Sequence, residues 1–148
     1  MDMALMCDLR LAGRSARFCE SYIRVGLVPG AGGLYFLPRI VGTAKALELF
    51  LTGDFVDAEE AYRIGLVNRL YDDDQLLDET YALAGRIAAG PPVSTRVIKR
   101  ALYQSARIDL ATSLDLASSH MAVIQSTQDS REALAAFRER RPAEYVGH

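Results

Sequence analysis

Gly26-Leu27-Val28-Pro29-Gly30-Ala31-Gly32-Gly33 is the stretch from which the fold is read. Four glycines and a proline in eight residues cannot continue a strand or a helix, so the segment is a tight, irregular loop. Before it, Phe18 to Val25 is rich in aromatic and β-branched residues and predicts an extended segment. After it, Leu34 to Val41 predicts a short helix containing, or ended by, Pro38. An extended segment, a glycine loop and a helix in that order place backbone N–H groups where a ligand could meet them. A plain tight turn is the competing reading.

Further out on the N-terminal side, Leu9-Arg10-Leu11 alternates as a short strand and Gly13 to Arg17 reads as a turn. Met1 to Cys7 is apolar and helix-compatible, yet no cap or turn leads into it, so it reads as the middle of an element. On the C-terminal side, Thr43 is expected to cap a helix running through Thr52, with Leu47, Phe50 and Leu51 facing inward. Asp57-Ala58-Glu59-Glu60 has capping-box spacing, and that helix should stop at Gly65. Leu66 to Tyr71 alternates as a strand.

Beyond Tyr71 the pattern is helical. One helix carries Leu76, Leu77, Tyr81, Ala84, Ile87 and Ala88 on a face and breaks at Gly90-Pro91-Pro92. A second runs from about Val93 to Ala106. A third presents Leu110, Leu114, Ala117, Met121 and Ile124 as a narrow seam of three- and four-residue steps. Asp129 to Glu132 again has capping-box spacing ahead of a last helix with Leu134 and Phe137. With only two or three short strands, all before Tyr71, the sheet keeps open edges, and the fold reads as unfinished on its N-terminal side.

Composition limits the function classes. The 148 residues are half hydrophobic and 24% charged, with a net charge of -2, which is globular and not basic. That balance gives no reason to expect nucleic acid or an anionic membrane as partner. The longest charge-free stretch, Val25 to Pro38, has 14 residues, short of the roughly 20 that a membrane helix needs. Cys7 and Cys19 match no disulfide framework or zinc spacing, and the expected compartment is the cytoplasm. His120 and His148 belong to no triad or zinc spacing, and Asp72-Asp73-Asp74 reads as a helix cap and dipole complement, so no metal site is expected.

Several motifs in order resemble one family. Val28-Pro29-Gly30-Ala31-Gly32-Gly33 is followed by Leu37-Pro38-Arg39-Ile40-Val41-Gly42, Leu51-Thr52-Gly53-Asp54, Ala58 to Ala61 and Gly65-Leu66-Val67-Asn68. The chain closes on Ser130-Arg131-Glu132-Ala133, Phe137, Glu139-Arg140-Arg141 and Pro142. Each motif is weak alone; together they resemble the crotonase (enoyl-CoA hydratase/isomerase) superfamily over essentially the whole chain.

The resemblance implies an α/β fold, the C-terminal part of a crotonase-type spiral β/α core followed by an all-helical region. Residues 1–71 would be the remainder of the core and 72–148 a helical oligomerisation region. It further implies that Met1 falls just after the family's glycine-rich segment, so that the chain is a truncated C-terminal portion. Much of the sheet and the oxyanion-hole N–H groups would then lie upstream.

The implied activity is addition of water to, or a double-bond shift in, an unsaturated acyl-CoA, by way of a stabilised thioester enolate. The implied partners are an acyl-CoA and further copies of the chain, as a homotrimer or hexamer. No cofactor is implied, coenzyme A being part of the substrate. Hydratases of the family use two glutamates, and this sequence departs from both. Asp2 stands at the first position and Tyr22 at the second, while Ala31 stands where some relatives place an Asp.

An Asp can keep the acid/base role with a shorter reach, whereas a phenol near pKa 10 is a poor base at neutral pH. In an extended segment Glu20 and Tyr22 would share one side, so Glu20 or Asp2 could act as base with Tyr22 as hydrogen-bond donor. A solvated surface charge is the other reading of Glu20. Gly30, Ala31 and Gly32 are candidate substrate contacts through the loop that lines the acyl pocket in relatives. Phe137 and Arg140 are weaker candidates near the adenine side. Arg138, Arg140 and Arg141 could meet a coenzyme A phosphate, whereas as plain helix-end groups they would complement the helix dipole. A non-catalytic remnant serving only assembly, or other thioester chemistry on the same fold, remains the alternative.

Overall fold

The computed structural model describes residues 1–148, which divide into two compact units, Met1–Tyr81 and Ala82–His148.

In the first unit α1 (Asp2–Leu5) leads into strand β1 (Leu11–Gly13) and strand β2 (Arg17–Phe18). A 3-10 helix, Ser21–Val25, follows, then the glycine loop. Helices α2 (Gly33–Val41) and α3 (Thr43–Thr52) come next, then β3 (Val56–Asp57), α4 (Ala58–Arg63) and β4 (Arg69–Tyr71). Strand β1 pairs in parallel with β4, Leu11 opposite Arg69 and Gly13 opposite Tyr71. Strand β2 pairs antiparallel with β3, Phe18 opposite Val56. These are two separate two-stranded ladders, and no strand follows Tyr71. A parallel pair needs a crossover between its strands, and α2, α3 and α4 lie within it.

The core is built on that crossover. Leu5, Ala12, Leu37, Ala46, Leu49, Val56, Ala61, Leu66 and Val67 form one buried cluster, with Phe18, Phe36, Ile40 and Phe50 packed against it. Leu37 is wholly buried, and a leucine taken fully out of water contributes about 1.5–3 kcal/mol.

Pro38 stands inside α2. Its ring has no N–H, so one bond of the helix ladder is lost there. The expected inner face of α3 is corrected. Ala46 and Leu49 are buried, whereas Leu47 and Leu51 are half-exposed or more. Phe50, the third residue expected inside, does pack against the core cluster. The expected cap is also one residue off. Gly42, at φ 82, is the N-cap of α3 and accepts the Ala46 N–H through its carbonyl. Asp57 caps α4 as expected, its carboxylate accepting the Glu60 N–H at 2.8 Å. Glu60 does not return the bond but pairs with Arg63 and Lys45.

Helix α5 (Leu76–Ala88) ends before Gly90-Pro91; its residues from Ala82 on, with α6 (Pro92–Ser105), α7 (Leu110–Gln125) and α8 (Gln128–Glu139), make up the second unit's regular structure. Pro92 opens α6, where its missing N–H costs no helix bond. Asp109 caps α7 by accepting the Thr112 N–H at 3.0 Å. The α7 seam is not core within this chain, because Leu110, Leu114 and Met121 are each more than half exposed. Thr127, not Asp129, caps α8, accepting the Ser130 N–H at 3.1 Å. Asp129 is instead buried and accepts the N–H groups of Val146 at 2.7 Å and Gly147 at 3.0 Å. Arg141 clasps Glu132 and also reaches Glu139, while Glu132 accepts the Glu144 N–H, so the tail folds back along α8.

Candidate active site

Charged side chains rarely lie fully buried without a partner, and the first unit buries two together. Asp2 on α1 is 5% exposed and Glu20, just ahead of the 3-10 helix, is 2% exposed. The reading of Glu20 as a solvated surface charge is therefore overturned.

The expected extended run over Phe18 to Val25 is also corrected. Only Phe18 is in a strand; Ser21–Val25 is a 3-10 helix, closed by Gly26 N–H to the Ile23 carbonyl at 3.1 Å. Gly26, at φ 70, terminates it and turns the chain into the loop. Two-residue alternation thus does not bring Glu20 and Tyr22 together. Asp2 does.

Tyr22 donates its phenolic O–H to Asp2 Oδ2 at 3.1 Å, and Ala31 donates its backbone N–H to the same oxygen at 3.2 Å. The other oxygen, Asp2 Oδ1, faces Gly33, where an added Cβ would stand only 2.5 Å away. Glycine at the start of α2 is what lets the carboxylate approach so closely. Gly32, the N-cap of α2 at φ 93, adopts a backbone that side chains disfavour, and a Cβ there would meet the Phe36 ring at 3.0 Å. The loop that predicted a tight turn is therefore shaped around Asp2. Gly30 is different, with open space where its Cβ would be.

Electrostatics separate the roles. Burial pushes the Glu20 carboxyl up from 4.5 to about 7, helped by its hydrogen bond to Asp2 and by the Asp2 charge. The Met1 amino group pulls weakly the other way. The Tyr22 phenol is held above its ordinary 10, chiefly by its hydrogen bond to Asp2 and then by the Asp2 charge. A phenol so placed is a hydrogen-bond donor at neutral pH and not a base. An acceptor carboxylate, a fixed donor and a proton-bearing buried acid are the components of general acid–base chemistry.

Asp2, Glu20, Tyr22 and Ala31 are thus brought into one cluster. Phe137 and Arg140 lie in the second unit, Phe137 at 84% exposed and Arg140 as the left-handed C-cap of α8, at φ 55. Arg141 and Glu132, both within the closing motifs of the sequence, form an ion pair that pulls the Glu132 carboxyl down to about 2. The aspartate run beyond Tyr71 is structural: Asp72 pairs with Arg14, and Asp73 accepts the Ser15 N–H at 3.0 Å.

Across residues 1–148 the chain matches the family described as enoyl-CoA hydratase/isomerase. It is 39% identical over 137 residues to the short-chain-enoyl-CoA hydratase of Clostridioides difficile, covering 93% of this chain and 88% of that protein. To the crotonyl-CoA hydratase of Syntrophomonas wolfei it is 34% identical over 145 residues, covering 98% of this chain and 56% of that protein. A crystal structure of an enoyl-CoA hydratase from Bacillus anthracis superposes with a TM-score of 0.94 at 34% identity, covering 97% of this chain and 56% of that one. The chain therefore spans little more than half the length of the latter two.

Proposed function

The chain belongs to the enoyl-CoA hydratase/isomerase family, and on that premise we propose that it serves the conversion of an unsaturated acyl-CoA, by addition of water or by a double-bond shift. The observation that carries this is the convergence of the Tyr22 hydroxyl and the Ala31 N–H on one oxygen of a buried aspartate. Asp2 is the base. In hydration it takes a proton from water as the water oxygen bonds to the β-carbon and the π electrons pass to the thioester oxygen; as that enolate collapses, the α-carbon takes the proton back and Asp2 is again a carboxylate. Tyr22 orients Asp2 by donating its phenolic O–H. Gly30, Ala31 and Gly32 supply the backbone beside the acyl group, as the family resemblance implies. Phe137 and Arg140 remain candidates for the adenine end. Coenzyme A enters as part of the substrate, with no separate cofactor.

The natural partner beyond substrate is another copy of the chain, as a trimer or hexamer. The exposed seam Leu110, Leu114 and Met121 on α7 supports this, since apolar rows of that size are normally covered. The same seam favours an assembly module as the second reading of the chain. The two free cysteines suit a reducing compartment, and we place the protein in the cytoplasm. No helix is long and apolar enough to cross a membrane.

Loss of conjugated-thioester absorbance from a 2-enoyl-CoA tests the proposal. Tyr22→Phe removes one hydrogen bond to Asp2 and should lower turnover about tenfold or more. Turnover equal to wild type in Tyr22→Phe would contradict the role given to Tyr22, and no turnover at all by the wild-type chain would favour the assembly module.

A further inference from the structure

Asp2 Oδ1 and Glu20 Oε1 are both buried, and neither meets a donor from the rest of the protein. Two oxygens that can only accept would repel in a site closed to water, and burying unpaired carboxylates is costly. The other Asp2 oxygen is already engaged by Tyr22 and Ala31. Asp2 is the side chain that acts on Glu20 most strongly, and two neighbouring carboxyl groups whose oxygens otherwise only accept can bond each other only if one of them carries a proton.

We propose that Asp2 and Glu20 form a carboxylate–carboxylic acid pair sharing one proton, in which Glu20 is the protonated member and acts on the reaction only through Asp2. Glu20 is then a positioning residue, distinct from the base. Both acids are buried, but only Asp2 is tied to the Tyr22 hydroxyl and the Ala31 N–H, and the Glu20 O–H can aim Asp2 towards the half-buried Tyr22. Such pairs arise where like charges cannot both ionise at close range. The groups acting on Glu20 are consistent with this. Asp2 on α1 raises its proton affinity along with burial, the Met1 amino group lowers it, and Tyr22 on the 3-10 helix is a neutral neighbour at pH 7. The sequence hides the arrangement, because Glu20 and Asp2 are 18 positions apart and share no secondary element.

The inference rests on the proposed function for its catalytic meaning, while its physical test does not need activity. Side-chain carboxyls labelled with carbon-13 can be titrated by NMR in the folded wild type, Glu20→Gln and Asp2→Asn. One glutamate carboxyl should titrate near neutrality in the wild type, be missing in Glu20→Gln, and move towards the ordinary carboxylate range in Asp2→Asn. Every carboxyl titrating below about pH 5 in the folded wild type, or a near-neutral transition that survives in Glu20→Gln, overturns the pair.

Where the wild type turns over an enoyl-CoA, Glu20→Gln should lose no more than about tenfold, since an amide N–H can still bond Asp2. Its rate should also lose the pH dependence near neutrality. Glu20→Gln inactive at every pH, though folded, would make Glu20 the proton carrier itself and overturn the positioning role. A wild type that titrates as described but turns over no acyl-CoA sinks the functional proposal and leaves the pair standing.

Discussion

Unit one and unit two hold themselves together differently. Residues 1–81 contain the whole buried apolar cluster, from Leu5 to Val67, and enclose a pair of acidic side chains beside it. Residues 82–148 are mostly helix, yet their only fully buried residues are Asp129 and Ala136. Their larger apolar side chains, Leu102, Leu110, Leu114 and Phe137 among them, face outward. Polar clasps instead fix the tail along α8, through Asp129, Glu132 and Arg141. Apolar burial can stabilise a unit alone. Amphipathic helices with an uncovered seam draw most of their stability from what packs on that seam.

The contrast is open to test at each end. Leu37→Ala should produce the largest loss, about 2–5 kcal/mol, because the wholly buried side chain leaves a cavity among packed neighbours. Chemical denaturation followed by circular dichroism would measure it, and a loss under about 1 kcal/mol would break the claim that the first unit is core-driven.

The buried acids should make the first unit sensitive to pH. Glu20 has its folded pKa raised from 4.5 to about 7, so the folded state holds an extra proton between those values. Stability should therefore fall as pH rises from 4.5 through 7, by up to about 3 kcal/mol. Glu20→Gln should flatten that slope, as judged from denaturant midpoints across the pH range.

In the second unit the sensitive residue is polar. Asp129→Ala leaves the Val146 and Gly147 N–H groups without their acceptor and should cost about 2 kcal/mol. Hydrogen exchange should quicken at those two amides first, and unchanged protection would contradict the clasp. Leu114→Ser should be the mildest, within about 0.5 kcal/mol for the isolated chain. It should shift self-association measured by sedimentation, and a large loss of stability at dilution would show the seam already covered.

What was legible in the sequence followed local rules. The glycine loop, the cap at Asp57, the stop at Gly65 and the break at Gly90-Pro91 each depend on a few adjacent residues, and each stands in the structure. The misses came where distant residues decide. Phe18 to Val25 has strand composition, but Gly26 and the approach of Asp2 fold most of it into a 3-10 helix. Helix α3 carries apolar residues on more than one side, and the core takes Ala46, Leu49 and Phe50 in place of Leu47 and Leu51. Asp129 has a cap's spacing, yet Thr127 takes the cap and leaves Asp129 to the tail. In the site, Asp2 and Tyr22 were singled out by resemblance. The burial of Glu20 depends on three segments meeting, for which no local pattern exists.

Asp2 is the residue on which the loop, the phenol and the second acid all converge, so Asp2→Asn is the most direct test. Hydration of a 2-enoyl-CoA should be followed in the wild type and Asp2→Asn side by side, with folding verified by circular dichroism. The wild type should turn over and the variant should lose about 10²–10⁴-fold, the usual contribution of a positioned general base. Equal turnover by both proteins would contradict that role.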